Sequence, residues 1–243
     1  MRKIGCWILL VLCYCNGFGQ ADLPSVVVID TLPPVSNTLS VQHKPFIKTL
    51  IIPSAAFLYG VISLKSGMLQ DWNLTVQKNV MAPNGQHTNI DNYLPYLPSL
   101  AGHVLSLAGI KGKHKFFDRL LIDGIAGGFS VTSVYLLKRI AKEKRPDGSD
   151  DLSFPSNHAA TAFASAELLR AEYSDVSPWY GIAGYTVAAT TAYLRMYNNE
   201  HWFGDVVAAA GIGIISAKLA GQLYPLAHRI LFGKEKPVLV RMP

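Results

Sequence analysis

Two basic residues at helical spacing suggest a site for a phosphoryl group. Lys138 and Arg145 are seven positions apart, which is two turns of an α-helix, so both side chains can point to one side. Lysine supplies a point charge and arginine a planar fork of donors, and together these groups suit a phosphate. The same pair would also serve as the positive flank of a membrane helix, so alone it assigns no ligand.

A second group opens the next apolar run, at Pro155-Ser156-Asn157-His158. Ser156 is a typical N-cap residue, and the free backbone N–H groups of a helix N-terminus form an anion site. Ser156 and Asn157 could donate further hydrogen bonds, and His158 could pass a proton to a departing oxygen. A simple cap followed by an isolated histidine is the alternative.

Arg195, His201 and Asp205 form a third group. The four-residue spacing of His201 and Asp205 puts both on one face of a helix, within side-chain reach. An aspartate bonded to one imidazole nitrogen fixes the tautomer and leaves the other nitrogen free to attack. Arg195 is a third cation for a phosphate. A local His–Asp hydrogen bond at an interface is the simpler interpretation, and a His–Asp pair alone is a thin ligand set for a metal.

Apolar segments of helical length must position these residues. Half of the residues are apolar and only 16% are charged, below the value of about 25% usual for soluble domains. We predict six helices and little or no sheet, from apolar runs at 49–64, 93–110, 124–137, 159–169, 178–194 and 206–226. The mixed segment after the first run could begin with an amphipathic interfacial helix.

The order of these runs brings the three groups together. If successive helices alternate in direction, the third and fifth helices end on the side of the bundle where the fourth and sixth helices begin. Recurrent Ala and Gly residues suit close helix packing in lipid, so we favour a membrane bundle over a soluble helical core. The net charge of +6 fits an anionic ligand or cytoplasmic loops, and no nucleic-acid-binding motif accompanies it.

The chain begins like a secretory signal peptide. Residues 1–20 have a basic start, a short apolar run and a small or polar end. All three cysteines lie in this segment, so cleavage would leave no thiol and no disulfide. An uncleaved short anchor is the alternative. Beyond it we expect a linker or N-terminal arm at 21–45, the helical domain at 46–232 and a C-terminal tail at 233–243.

The combined pattern Lys138-x6-Arg145-Pro146, Pro155-Ser156-x-His158 and Arg195-x5-His201-x3-Asp205 resembles the signature of the type 2 phosphatidic acid phosphatase (PAP2) superfamily. That superfamily also contains bacterial class A acid phosphatases and vanadium haloperoxidases. The resemblance covers about residues 90–225. It implies an all-α, six-helix, membrane-embedded bundle with the active site at helix ends on one face. It also implies phosphate hydrolysis through a phosphohistidine, with no metal or other cofactor.

The resemblance also implies a role for each residue. His201 would be the nucleophile, Asp205 its orienting partner and His158 the proton donor to the leaving group. The phosphoryl oxygens would be held by Lys138, Arg145, Arg195, Ser156 and the Asn157 backbone N–H. Two positions depart from the family pattern, which usually has Gly at Asn157 and Ser at Leu194. Asn tolerates unusual backbone angles, so the loop can still form, and neither departure removes a catalytic group.

A basic pocket at the surface of a membrane bundle suits an amphiphilic phosphate. The signal-like N-terminal segment and the six-helix core also resemble those of the bacterial lipid A phosphatases of the superfamily. A lipid A phosphate is therefore the first expectation. Alternatives are undecaprenyl pyrophosphate, phosphatidate or phosphatidylglycerophosphate. A soluble secreted acid phosphatase and a non-catalytic lipid-phosphate-binding protein are further alternatives. Partners are then the membrane and the lipid substrate, not nucleic acid, and the oligomeric state stays open.

Charge bias predicts the orientation in a bacterial inner membrane. Lysines and arginines at 111–119 and 229–236 favour a cytoplasmic location for both segments and a periplasmic active site. A cleaved signal would leave the mature N-terminus outside, which requires an odd number of crossings before residue 111. Two apolar runs precede that residue. Either the first run does not cross the membrane, or the N-terminal segment is not a normal signal.

Overall fold

Seven α-helices make up the part of the chain described by the computed structural model, residues 45–83 and 86–233, and no strand occurs there. The helices are α1 (Phe46–Ser63), α2 (Gly67–Val80), α3 (Leu97–Leu107), α4 (Phe116–Ala141), α5 (Asn157–Tyr173), α6 (Pro178–Tyr197) and α7 (Phe203–Phe232). The all-α prediction is confirmed: the six predicted helices are α1 and α3 to α7. The seventh, α2, lies in the mixed segment. The predicted signal peptide and nearly all of the predicted linker and tail lie outside the described residues.

Residues 142–156 form a charged loop between α4 and α5, and the helices around it begin and end where local chemistry requires. Ser156 caps α5 by accepting a hydrogen bond from the N–H of Ala159, and Ser177 caps α6 in front of Pro178. Helix α4 ends at Lys142, which adopts a left-handed conformation with φ of 47° and donates its N–H to the carbonyl of Lys138. These boundaries fix the points at which the charged loop leaves α4 and enters α5.

Small residues allow the helices to approach closely. Helix α5 packs against α6 and α7, and α7 also packs against α1 and α4. A Cβ atom at Gly211 would overlap the backbone of α1 near Pro53, and one at Gly213 would overlap the carbonyl oxygen of Ala160 on α5. Without these glycines α7 would stand further from both neighbours, so the predicted small-residue packing is what sets the bundle's spacing.

The outer surface of the bundle is apolar. Helices α1, α4 and α7 are long and apolar enough to cross a membrane. Large hydrophobic side chains such as Ile47, Ile52, Phe117 and Ile140 are more than three-quarters exposed. A soluble protein would not leave such a surface uncovered, whereas lipid tails cover it without cost. The chain is therefore a membrane protein.

The chain traverses the bundle twice before residue 111. Helix α1 runs antiparallel to α7, because Gly60 lies against Ala208 and Gly204 while Pro53 lies against Gly211. The chain then returns through α3, since Gly102 contacts Arg119 at the end of the bundle where α4 begins. The first apolar run is thus a helix long and apolar enough to cross a membrane, and it lies antiparallel to the first half of α7.

A buried polar cluster closes the end of the bundle where α4 begins. Arg119 donates to the carbonyl of Gly102 at 2.8 Å, and Glu172 accepts from the backbone N–H and the ring Nδ1 of His114 at 2.7 and 2.8 Å. The hydroxyl of Tyr173 donates to the same carbonyl of Gly102 at 2.9 Å. Buried charges are tolerated only when paired, and here the pairing joins α3, α4 and α5.

We predict that Gly213→Ala destabilises the protein and that Gly124→Ala does not. The new methyl at 213 meets backbone atoms of α5 that cannot move aside, whereas a Cβ at Gly124 on α4 has no neighbour within 4 Å. Overpacking of this kind costs about 1–3 kcal/mol, while Gly→Ala in an open helical position gains about 0.5–1 kcal/mol. Thermal unfolding in detergent measures both. Equal unfolding temperatures for the two variants would contradict the packing described.

Candidate active site

Four helix ends meet at the end of the bundle opposite the Arg119 cluster. The last turn of α4 contributes Lys138, whose Nζ donates to the carbonyl oxygen of Ser153 at 3.2 Å and to that of Leu152. The N-cap of α5 reaches the first turn of α7, because the backbone N–H of Ser156 donates to the carbonyl of Asp205 at 3.4 Å. The predicted convergence of helix ends on one face is confirmed.

A buried His–Asp pair lies at the centre of this end. His201 and Asp205 are 2% and 1% exposed, and His201 Nδ1 lies 3.4 Å from Asp205 Oδ2. The same oxygen accepts hydrogen bonds from the hydroxyl of Ser153 at 2.5 Å and the backbone N–H of Trp202 at 2.9 Å. With Nδ1 facing the carboxylate, Nε2 is the ring nitrogen left for chemistry.

Burial keeps His201 neutral. Loss of solvent lowers the pKa of His201 to about 4, although the hydrogen bond and charge of Asp205 act in the opposite direction. Lys138 and Arg195 lower it further, because a second positive charge beside them is unfavourable. At pH 7 the ring therefore carries one proton. Facing a carboxylate, that proton belongs on Nδ1, and Nε2 keeps its lone pair.

The two arginines of the predicted site are joined by acidic residues. Arg195 is 3% exposed and donates through Nη1 to Asp91 Oδ2 at 2.5 Å. Arg145 donates through Nε to Asp150 Oδ1 at 2.8 Å. Both arginines also contact Glu200 Oε2, Arg145 through Nη1 at 3.0 Å and Arg195 through Nη2. Charge-assisted bonds of this kind fix the guanidinium planes before any ligand arrives.

The first turn of α5 holds the remaining predicted residues. Ser156 is fully buried, and its hydroxyl accepts the N–H of Ala159 at 3.4 Å, while Asn157 and His158 are half-buried. Among the described residues, the non-glycine positions with positive φ are Lys142 and Asn199. Asn157 is ordinary helix, so its departure from the usual glycine needs no unusual backbone angle.

Helix α2 forms hydrogen bonds to residues on either side of His201 in the chain. The side-chain oxygen of Asn73 accepts the backbone N–H of Gly204 at 3.1 Å, at the start of α7. Gln77 donates to the side chain of Asn199 at 2.7 Å, in the turn that leads from α6 towards His201. The amphipathic segment of the sequence is thus part of the framework of the site.

Sequence reasoning missed most of the polar residues that support the predicted ones. They are Asn73, Asp91, Glu143, Ser153, Asn198 and Glu200. Asp91 illustrates why: it is 1% exposed and binds both Arg195 and Asn198, yet it lies 104 positions from Arg195 in the chain. A buried polar residue in a mixed segment has no periodic pattern, so Asn73 and Asp91 offered no signal. The other four lie within or beside the predicted motif and offered a signal by position.

Glu143 is a second carboxyl group beside Asp205. It follows the left-handed residue Lys142, and its backbone carbonyl accepts the N–H of Ser153 at 2.9 Å. Burial, together with the charge of Asp205 and a hydrogen bond to it, raises the pKa of Glu143 to about 9. Glu143 is therefore neutral at pH 7 and can donate to the Asp205 carboxylate.

Within residues 45–83 and 86–233 there is no group of three or more His, Cys, Asp or Glu side chains that could hold a metal ion. The arrangement is instead a neutral histidine beside a carboxylate, faced by a lysine and two arginines. Such a site can hold an anion and attack it.

Known proteins match the part of the chain that contains these residues. A sequence model of the PAP2 superfamily matches residues 123–229, a range that contains every predicted site residue. The chain is 38% identical over 148 residues to the lipid A 1-phosphatase of Porphyromonas gingivalis, covering 59% of this chain and 32% of that protein. It thus spans about a third of the length of this relative.

Two solved crystal structures are similar to this chain, and the first of them shows a similar arrangement of helices. The transmembrane PAP2-type phosphatidylglycerolphosphate phosphatase from Bacillus subtilis is 20% identical with a TM-score of 0.50, over 71% of this chain and 95% of that one. LpxE from Aquifex aeolicus is 22% identical with a TM-score of 0.47, over 62% and 95%. The fold and the site define a helical membrane protein in which a buried histidine–aspartate pair lies near a lysine and two arginines. The match to the PAP2 superfamily model covers less than half of the chain, in the part that carries the helix ends of this site.

We predict that Glu143→Gln flattens the pH dependence of stability. The folded-state pKa of Glu143 is above its unfolded value, so the folded protein holds a proton that the unfolded chain loses. Wild-type stability should therefore fall as the pH rises from about 5 to 9. Glutamine keeps a neutral donor beside Asp205 and removes this loss. Unfolding temperatures across that range test it, with Asp151→Asn as control, and parallel profiles for wild type and Glu143→Gln would contradict it.

Proposed function

We propose that this protein is a metal-independent phosphatase that hydrolyses a lipid phosphate monoester through a phosphohistidine. The observation that carries the proposal is the placement of a neutral, buried His201 against Asp205, with Lys138, Arg145 and Arg195 at the same end of an apolar bundle. The match of residues 123–229 to the PAP2 superfamily model supports it.

In the first step, Nε2 of His201 attacks phosphorus, and the bond from phosphorus to the leaving oxygen breaks. Burial and the charge of Arg195 lower the pKa of His158 to about 4 in the empty site, so its ring must first take up a proton, which the negative charge of a bound phosphate favours. Protonated His158 then gives that proton to the leaving oxygen, and the lipid leaves as a neutral alcohol. The three cations stabilise the charge on the equatorial oxygens, as phosphoryl transfer requires. Donors in the first turn of α5, at Ser156 and the Asn157 backbone, add to this stabilisation.

In the second step, His158 takes a proton from water, which attacks the phosphohistidine and releases inorganic phosphate. Asp205 remains a carboxylate throughout. It holds the Nδ1 proton and stabilises the positive charge that the ring gains when Nε2 bonds to phosphorus. Burial of the pair strengthens this interaction.

A lipid A phosphate is the substrate that we propose first. The identity of 38% to a lipid A 1-phosphatase supports this choice, and a basic site at the end of a lipid-exposed bundle suits a phosphate carried on acyl chains. Apolar chains can remain in the bilayer against the exposed faces of the helices while the phosphate enters between the helix ends.

We place the active site on the periplasmic face of a bacterial inner membrane. The basic residues before α4 and at the end of α7 lie at the opposite end of the bundle, where the positive-inside rule favours the cytoplasm. Two traverses precede residue 111, so the start of α1 is also cytoplasmic in this topology. A cleaved signal peptide would leave that start on the other side.

We predict that His201→Ala abolishes phosphate release from lipid A and that His87→Ala, an exposed histidine, does not. Removing the nucleophile should lower kcat by at least about a thousandfold. The assay uses detergent-purified protein with a chelator present, and compares lipid A with undecaprenyl pyrophosphate and phosphatidate. Equal release by wild type and His201→Ala would exclude the phosphohistidine, and a preference for another lipid would replace lipid A as the substrate.

Labelling with a membrane-impermeant thiol reagent measures the topology. In a chain with its three native cysteines replaced by alanine, we expect Asp151→Cys to react in intact spheroplasts. Arg229→Cys should react only after permeabilisation, because it lies at the far end of α7. Both side chains are exposed, so accessibility reports the side of the membrane. The reverse pattern would place the active site in the cytoplasm.

A further inference from the structure

Glu200 lies between the two arginines of the proposed phosphate site. Its Oε2 atom is 3.0 Å from Nη1 of Arg145 and also contacts Nη2 of Arg195. Arg145 is on the loop after α4 and Arg195 is in the last turn of α6, so this one oxygen joins two separate elements. No predicted role in hydrolysis uses Glu200.

The two arginines meet Glu200 with nitrogens that their other partners leave available. Asp150 binds Arg145 through Nε, and Asp91 binds Arg195 through Nη1. These contacts involve nitrogens other than the ones that contact Glu200, and they orient each guanidinium group. An oxygen that accepts from two guanidinium groups is bound as a phosphoryl oxygen would be, because carboxylate and phosphate use the same charge-assisted geometry.

We infer that Glu200 is an internal competitor for the phosphate: its carboxylate fills the position of one phosphoryl oxygen between Arg145 and Arg195 until a substrate displaces it. The inference rests on the proposed function, because that function assigns the two arginines to the phosphoryl group. It makes Glu200 a determinant of how tightly the site holds phosphate.

Displacement requires only a side-chain rotation. The side chain of Glu200 is 22% exposed, so it has a route to solvent, and its backbone N–H donates to the carbonyl of Arg195 at 3.1 Å. The neighbouring His201 is buried and held by Asp205, so the nucleophile can stay in place while Glu200 turns outward.

An internal carboxylate has two consequences for a hydrolase. In the empty site it separates two like charges that would otherwise repel one another. After hydrolysis it can return to the arginines and help to expel inorganic phosphate, whose negative charge it opposes. Singly charged anions gain less from the arginines than a phosphate dianion does, so they displace Glu200 less readily.

Binding of inorganic phosphate tests the inference without requiring turnover. The affinity of the full chain in detergent is measured by calorimetry and by the rise in unfolding temperature with phosphate concentration. Glu200→Gln keeps the size of the side chain and removes its charge, so its Kd for phosphate should fall by about tenfold. The control Asp151→Asn removes an exposed charge from the neighbouring loop and should change Kd less than about twofold.

The stabilisation by phosphate should also differ. Without phosphate, Glu200→Gln should unfold at a lower temperature than wild type, because the arginines lose a shared partner, and phosphate should recover most of the difference. Glu200→Asp withdraws the carboxylate by one methylene. The aspartate variant should tighten phosphate binding by a smaller factor, and it replaces the glutamine variant in the test if the latter does not fold.

Three outcomes are decisive. Tighter phosphate binding by either variant, with the control unchanged, supports the inference. Equal or weaker binding by the variants, in a protein whose wild type hydrolyses lipid phosphate, overturns the inference and leaves the proposed function intact. A wild type that neither binds phosphate nor hydrolyses any lipid phosphate overturns both.

Discussion

The hydrogen bonds to one carboxylate oxygen, Oδ2 of Asp205, hold together the end of the molecule that contains the candidate active site. That oxygen faces His201 Nδ1 and accepts from the Ser153 hydroxyl and the Trp202 N–H. The backbone carbonyl of Asp205 receives the N–H of Ser156. The start of α7, the charged loop and the start of α5 therefore meet at a single residue. Because an unpaired buried carboxylate is costly, these three segments stabilise the charge and the charge in turn fixes the segments.

This interaction can exist only because the helices carrying it lie very close. Glycines at 204, 211 and 213 bring α7 against α1 and α5, and a side chain at any of them would meet backbone or Ser63. Packing in lipid gains nothing from hydrophobic transfer, so close contact between small residues is the available source of helix association. The same residues that let the bundle assemble in a membrane thus set the separation of the helix ends.

The sequence predicts the helices, and contacts within one helix, better than it predicts the polar residues that support the site from distant parts of the chain. Runs of apolar residues located all six main helices, and the spacing of His201 and Asp205 indicated a contact that depends only on helix geometry. Asp91 and Asn73 could not be found in this way. They act across the chain, where neither periodicity nor spacing relates them to Arg195 or Gly204, and the mixed composition around them also fits an ordinary surface loop. Periodicity and spacing predict helices, whereas hydrogen-bond partners that are far apart in the chain are seen only in the folded structure.

The acidic residues that sequence reasoning missed explain how so many cations can share one small region. Arg195 is paired with Asp91, Arg145 with Asp150, and both with Glu200, while Lys138 binds backbone carbonyls. Without these partners the positive groups would repel one another at the edge of a low-dielectric bundle. Phosphate can then gain affinity from donors that are already oriented, because no energy is needed to assemble them. As a consequence, the acidic partners already neutralise part of the positive charge that a phosphate would meet. In the proposed phosphatase, a site built in this way would bind phosphate more weakly than three free cations would, which suits the release of inorganic phosphate after each turnover.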